Sequence, residues 1–347
     1  YNTLLDDYEP GLTVAQCDTF FSNLRDKIVP LVAAISKKEA PDTEFLNQSF
    51  DLKGQDAFTY YIAEAIGFDF EAGCIAESAH PFTNGISRDD VRFTTKYHEY
   101  DLLSAASSTI HEGGHALYEQ NINPDFGLSG LSTGVSMGIH ESQSRIYENN
   151  FGRSLPFWTK HYPKLVDLFP EQLANVSVET FQKSLNTVKP SFIRIDADEV
   201  TYPLHIMVRY EMEKMLMTED FDIKELPKLW NDKYEEYLGI RPGSDKEGIL
   251  QDVHWSEGLF GYFPSYALGS AYAAQFDHYM RKDLDLDALL ESGDMEPILN
   301  WLTKRIHIHG SSKQPAEIIL GATGEDFNPD YFTEYLENKY SSIYGLK

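Results

Sequence analysis

The chain has 347 residues, and 29 Lys and Arg set against 55 Asp and Glu leave a formal net charge of −26. Nucleic-acid binders draw most of their affinity from basic patches that neutralise phosphate; no basic run occurs here, so nucleic acid is excluded as a partner. The acidic surplus equally excludes docking on an anionic membrane surface, while 42% hydrophobic and 13% aromatic residues fit a large globular core rather than disorder.

Two cysteines, Cys17 and Cys74, cannot build a disulfide framework, which points to a reduced, cytoplasmic setting. The first residues lack the basic–apolar–small pattern of a secretory signal. The chain starts with Tyr rather than Met, so a segment upstream is expected to have been removed or left out. The uncharged stretch 258–276 contains Pro264, Gln275 and three tyrosines. It reads as a buried loop running into a helix, not as a bilayer span.

In chain order, apolar residues spaced by three and four predict helices over 12–36 and 55–66, the second stopped by Gly67. Alternation predicts a strand over 91–97. A long helix follows over 102–120, with Asp101 as its N-cap and Pro124 beyond its end. Further helices are expected over 136–150, 155–187 (broken near its prolines), 199–218, 227–238, 265–282, 295–307 and 328–343. A second strand is expected over 192–196. Loops rich in Gly, Ser and Asp fall at 126–138 and 239–248. Many helices and few strands give a mainly α fold, a compact helical unit with a small β-sheet, expected as one domain over 1–347.

The sharpest local feature is His111-Glu112-Gly113-Gly114-His115 inside the 102–120 helix. Four residues make slightly more than one turn, so the two imidazoles project from one face and can share a metal ion. Glu112 follows the first histidine by one residue, where its carboxylate can serve as general base without ligating. The plain alternative is a helix whose histidines only pack. The paired glycines argue against it, because each costs about 1 kcal/mol in a helix interior unless another backbone or a substrate must come close.

Zinc requires a third protein ligand. His140-Glu141-Ser142-Gln143 supplies candidates on the next helix, Glu141 lying 26 residues after His115. Either His140 or Glu141 can ligate, since neighbouring helical side chains point about 100° apart and the other would line the cleft. Glu141 is also placed to pair with Arg145, four residues on.

These motifs resemble the carboxypeptidase Taq family of zinc metallocarboxypeptidases. The resemblance rests on six motifs in order: His80-Pro81-Phe82, Asp90-Val91-Arg92-Phe93-Thr94, the His111–His115 and His140–Gln143 motifs, Ile193-Arg194-Ile195-Asp196-Ala197-Asp198, and the 248–255 segment GILQDVHW. It implies a mostly helical fold, a homodimer, and release of single amino acids from peptides with a free C-terminus, with broad preference. It also implies His111, His115 and Glu141 as ligands to one Zn²⁺ per chain, for which Co²⁺ can substitute. Glu112 is the implied base. Members usually carry a further helical segment before the region that begins here, so the chain is expected to be truncated at its N-terminus.

For the developing oxyanion, His254 is the first candidate donor and Tyr262 or Tyr266 the second. His254 could equally hydrogen-bond Asp252 or pack beside Trp255. A carboxypeptidase must grip a free α-carboxylate, which suits arginine. Arg194 leads, followed by Arg92 and Arg241. Each could instead sit in a structural ion pair, Arg92 most readily beside Asp89 and Asp90. For His80 and Phe82 the resemblance implies a role in shaping the substrate cleft; Phe82 could instead pack in the core. Asp198 and Glu199 either cap the helix that follows or accept an N–H from a ligand histidine. Two other functions compete with the metallocarboxypeptidase: a zinc endopeptidase or oligopeptidase, and an inactive peptide-binding remnant.

Overall fold

Fifteen α-helices and one three-stranded sheet make up the regular structure of the described residues, 1–127 and 129–346, in a computed structural model. Leu128, inside the loop expected at 126–138, and Lys347 lie outside the described residues. The chain forms two compact units, each assembled from separate stretches of sequence. The first unit takes Tyr1–Ala40, Asn186–Ala271 and Asn328–Lys347, and the second takes Pro41–Leu185 and Tyr272–Phe327.

The first unit opens with α1 (Asn2–Tyr8) and α2 (Val14–Ile35). Thr13 and Gln16 start α2 with a reciprocal capping box, each side chain serving the other's backbone N–H. The second unit begins with α3 (Leu52–Ile66), which ends on Gly67 in the left-handed conformation, as its sequence predicts. The sheet follows, with β1 (Gly73–Glu77), β2 (Thr83–Ser87) and β3 (Asp90–Thr95). Its order is β1-β3-β2, with β1 parallel and β2 antiparallel to the central strand. One face of β3 packs on α4 (Leu102–Gln120), capped by Asp101 through the backbone N–H of Ser104. A short α5 (Met137–Arg145) runs into a turn of π-helix over Ile146–Phe151. The expected 155–187 helix breaks into α6 (Leu155–Leu168), α7 (Pro170–Leu173) and α8 (Val178–Leu185).

Back in the first unit, α9 (Tyr202–Thr218) and α10 (Leu226–Leu238) pack on α2. The next helix, α11 (Pro264–Asp283), starts in the first unit and finishes in the second, where α12 (Leu286–Ser292), α13 (Glu296–Arg305) and α14 (Pro315–Thr323) follow. The closing helix, α15 (Asp330–Tyr344), returns to α2. Among the described residues no helix is long and apolar enough to cross a membrane.

Two expectations need correction. The segment 192–196 is not a strand but a 3₁₀ turn over Arg194–Asp196. Its backbone is served by a side chain instead of a neighbouring strand: Arg194 N–H donates to Gln251 Oε1, and Gln251 Nε2 donates to the Phe192 carbonyl. Phe82 is not in the core but 52% exposed at the head of β2. Strands β1 and β2 went unforeseen because each buries at most one residue and so carries no apolar alternation.

Candidate metal centre

The site is built in the second unit from α4 and α5. His111 and His115 stand one turn apart on α4, their ring centroids separated by 5.0 Å. Of the two glycines between them, Gly113 faces the Ile66 side chain and Gly114 meets another backbone. A Cβ on Gly114 would lie 2.5 Å from the Gln143 carbonyl oxygen and 2.7 Å from Ser144 Cα, so only glycine lets the α5 backbone come this close. That approach, with Ser136 capping α5 through Ile139 N–H, brings Glu141 opposite both histidines.

Glu141 Oε2 lies 3.4 Å from His115 Nε2 and 3.9 Å from His111 Nε2. Four ligands at 2.0–2.2 Å around a tetrahedral ion are separated by about 3.3–3.6 Å, so the set is close to ligating distance. Among the described residues this trio is the one group of three or more such side chains with converging donor atoms.

Hydrogen bonds fix which nitrogen of each ring faces inward. His111 Nδ1 meets Glu148 Oε2 at 2.8 Å. A carboxylate only accepts, so Nδ1 carries the proton and the Nε2 lone pair is left facing Glu141. His115 Nδ1 meets His140 Nδ1 at 2.7 Å, and His140 Nε2 meets Glu119 Oε1 at 2.8 Å. His140 therefore turns away from the trio to support His115, instead of lining the cleft.

Burial opposes charge on Glu141 and Glu148, yet Arg145 followed by the neighbouring histidines holds both carboxylates well below the usual range. Arg145 reaches them in turn, donating to Glu141 Oε1 at 2.7 Å and to Glu148 Oε2 at 3.0 Å. Burial also works against a charged His111, but the Glu148 hydrogen bond and the two nearby carboxylates raise it. His115 is pushed down by burial, with the other two imidazoles adding to the effect. The buried Glu112 accepts a hydrogen bond from Thr83.

The remaining candidates divide between the units. On the second, His80 is exposed, and Arg92 is an exposed residue of β3 held bidentately by Asp90. Arg88 likewise faces Asp89 in the β2–β3 turn. On the first unit, Arg241 sits at the surface between Asp232 and Glu235. Arg194 is buried there and donates to Asp252 at 2.8 Å, while the fully buried Arg209 holds the other Asp252 oxygen. Two guanidiniums thus share one carboxylate. His254 Nε2 lies 3.1 Å from the Tyr266 hydroxyl, and Tyr262 packs against both rings. Burial, followed by the Arg194 charge, pushes His254 down to about 4.

Asp198 and Glu199 serve no ligand histidine. Asp198 accepts the N–H groups of Val200, Thr201 and Lys189, and Glu199 is bound by Lys339, Tyr335 and Tyr340. The carboxylates supporting histidines are Glu148 and Glu119. Glu119 was legible as an acid four residues after His115, whereas Glu148 lies in a π-turn that no period reveals. Arg209 had a signal too, a charge inside a run from Tyr202 to Tyr210 that is apolar or aromatic apart from His205.

The family model for carboxypeptidase Taq (M32) metallopeptidases matches residues 1–340. The chain belongs to that family. It is 50% identical to Carboxypeptidase 1 of Bacillus subtilis over 348 residues, covering 100% of this chain and 70% of the relative. It is 41% identical to Thermostable carboxypeptidase 1 of Thermus thermophilus, covering 99% and 68%. The crystal structure of the M32 carboxypeptidase from Deinococcus radiodurans R1 superposes with a TM-score of 0.97 at 38% identity, covering 99% of this chain and 70% of that one. The protein is a hydrolase, a metallocarboxypeptidase of mainly helical fold, and its substrates are peptides.

Proposed function

We propose that this metallocarboxypeptidase holds one zinc ion on His111, His115 and Glu141 and removes single amino acids from peptide C-termini with broad side-chain preference. The observation that carries the reading is the convergence of two Nε2 atoms and one carboxylate oxygen, with both Nδ1 atoms already engaged. Two imidazoles and a carboxylate are a donor set suited to zinc, and Co²⁺ suits it as well. When bound, zinc supplies Lewis acidity, which acidifies water and polarises a peptide carbonyl.

The chain's own residues do the rest. Glu112 accepts the proton of the attacking water and returns it to the leaving amine. His254 is held neutral by its surroundings and, with Tyr262 and Tyr266, is assigned to donate hydrogen bonds to the developing oxyanion. Arg194 is assigned to the substrate carboxylate. Its support is the shared Asp252: with Arg209 the three groups carry one net positive charge, in a protein whose overall charge is −26. Arg92 and Arg241 are already matched by carboxylates, and His80 is assigned to the edge of the cleft. A single catalytic domain, a homodimer and a cytoplasmic setting complete the reading, the last supported by two free cysteines, one of them exposed.

The test is metal analysis joined to mass spectrometry of a peptide ladder. Wild type should hold one equivalent of zinc and trim a free C-terminus one residue at a time. An amidated peptide should resist. Glu112→Gln should keep the metal and lose at least about 10²-fold in kcat. Internal cleavage of the amidated peptide would establish an endopeptidase, and binding without turnover a peptide-binding remnant.

A further inference from the structure

His140 is not needed as a ligand in the proposed site, yet it is tightly built in. Its Nε2 faces Glu119 Oε1 at 2.8 Å and its Nδ1 faces His115 Nδ1 at 2.7 Å. Glu119 is buried and can only accept while ionised. The proton of His140 therefore sits on Nε2, its Nδ1 accepts, and His115 Nδ1 must donate. Only that order leaves a lone pair on His115 Nε2 for a metal.

Glu119 is anchored by a loop. Its Oε1 also accepts from Thr133 Oγ1 at 3.2 Å and from Gly134 N–H at 3.1 Å. Gly134 in turn touches the ring it helps to orient: a Cβ there would stand 2.6 Å from His140 Cδ2 and 2.9 Å from Tyr118 Cε1. The loop is pinned from behind by Ser311, whose N–H donates to Leu131 O at 3.1 Å and whose hydroxyl reaches Thr133 O and Gly134 O.

We propose that His140 is a positioning residue for the metal centre, held in register by Glu119 and the 129–136 loop, so that this loop sets how tightly the metal is retained. The inference rests on the zinc reading above. It adds that residues such as Ser311, which touch neither metal nor substrate, act on metal affinity through Gly134, Glu119 and His140.

The experiment is zinc affinity by competition with a chromophoric chelator, with circular dichroism and melting of the metal-free proteins alongside. His140→Phe removes the acceptor and should weaken zinc binding about 10–100-fold, the usual effect of losing such a supporting partner. His140→Gln keeps an acceptor oxygen and should recover part of the loss. Gly134→Ala and Ser311→Ala leave every proton donor of the relay in place and should still weaken binding, Gly134→Ala the more strongly. Unchanged affinity in His140→Phe and Gly134→Ala, both folded, overturns the proposal. If His140→Phe fails to fold, the Gly134 and Ser311 variants decide by the same criterion. A wild-type protein that takes up no zinc sinks the reading of the site itself, and this inference with it.

Discussion

The hydroxyl of Thr83, the first residue of β2, lies 2.6 Å from Oε2 of Glu112 and 3.0 Å from the carbonyl oxygen of the same residue. One hydroxyl proton serves both, and an ionised carboxylate takes the larger share. The contact fixes the rotamer of the proposed base and ties β2 to the middle of α4. Removing it should cost about 1.5–3 kcal/mol of positioning, as for other hydrogen bonds to charged groups. Thr83→Val is therefore expected to lower kcat about 10–100-fold with KM and zinc content little changed, and Thr83→Ser to restore most of it. Steady-state kinetics on a peptide with a free C-terminus check this. Equal losses in the Val and Ser variants would point to packing instead.

Glu148 supports His111 as His140 supports His115, through one hydrogen bond to Nδ1. Its Oε2 meets His111, while Arg145 and Arg153 hold the carboxylate from two sides. Glu148→Gln can present an NH₂ to His111 in one orientation, and either way loses the charge. Zinc dissociation measured by chelator competition should speed up, with affinity down about 10–100-fold. Glu148→Ala should fall further and also lower the melting temperature, because Arg153 loses its carboxylate partner in a largely buried site while Arg145 keeps only Glu141.

Gly114→Ala tests the contact between α4 and α5. The new methyl group would meet backbone atoms of residues 143 and 144, which cannot rotate away. Overpacking of this kind costs about 1–3 kcal/mol, and here the displaced helix carries Glu141. The expected result is a lower melting temperature together with weaker zinc binding. A variant as stable as wild type, with unchanged affinity, would mean that α5 is not seated on Gly114.

Three buried histidines set a pH dependence of stability. Burial pushes His161 down to about 4, His254 likewise to about 4, and His307 to about 3. Each folded value lies below the unfolded value near 6.5, so the unfolded chain takes up protons that the folded one refuses. Their contribution is complete above about pH 6.5 and is lost as the pH falls from there towards 4. At roughly 1.4 kcal/mol per pKa unit the loss reaches about 3 kcal/mol for each histidine. Urea denaturation of the metal-free protein between pH 7 and 4 should show the decline. His161→Leu should make it shallower, since it removes one of the three depressed imidazoles, and the Tyr61 hydroxyl that loses its partner at Nδ1 belongs to a half-buried side chain.

Asp252 is the shared counter-charge of Arg194 and Arg209. Asp252→Ala would strand two buried guanidiniums and should destabilise the protein by about 3–5 kcal/mol in chemical denaturation. Arg194→Met, by contrast, leaves the Arg209–Asp252 pair intact. It should raise KM for free C-termini far more than it lowers stability.

The long periodic helices were legible because their apolar spacing and caps agree: α2, α4 and α10 fall within about two residues of their predicted ends. So was the pair His111 and His115, since one helical turn fixes their common face. What could not be read was anything that depends on side chains replacing backbone. Gln251 satisfies the chain at 192–194 as a strand would, and the alternation there misled for that reason. The two supporting carboxylates differ in the same way. Glu119 shares the helical face of His115 and was within reach of a spacing argument. Glu148 depends on tertiary placement of a π-turn, and Thr83 on a strand with almost no buried residue.

The π-turn over Ile146–Phe151 makes the site sensitive to insertions and deletions as well as to substitutions. Such a turn accommodates one residue more than the α-helix it interrupts. Loss of Asn149 or Asn150 alone would retain every ligand and every supporting carboxylate. The chain beyond would nonetheless be rotated by about 100° relative to α5, carrying Arg153 away from Glu148. A gap of one position in this hexapeptide, which a residue-by-residue comparison of site side chains would pass over, thus removes one of the two arginines that hold the carboxylate supporting His111.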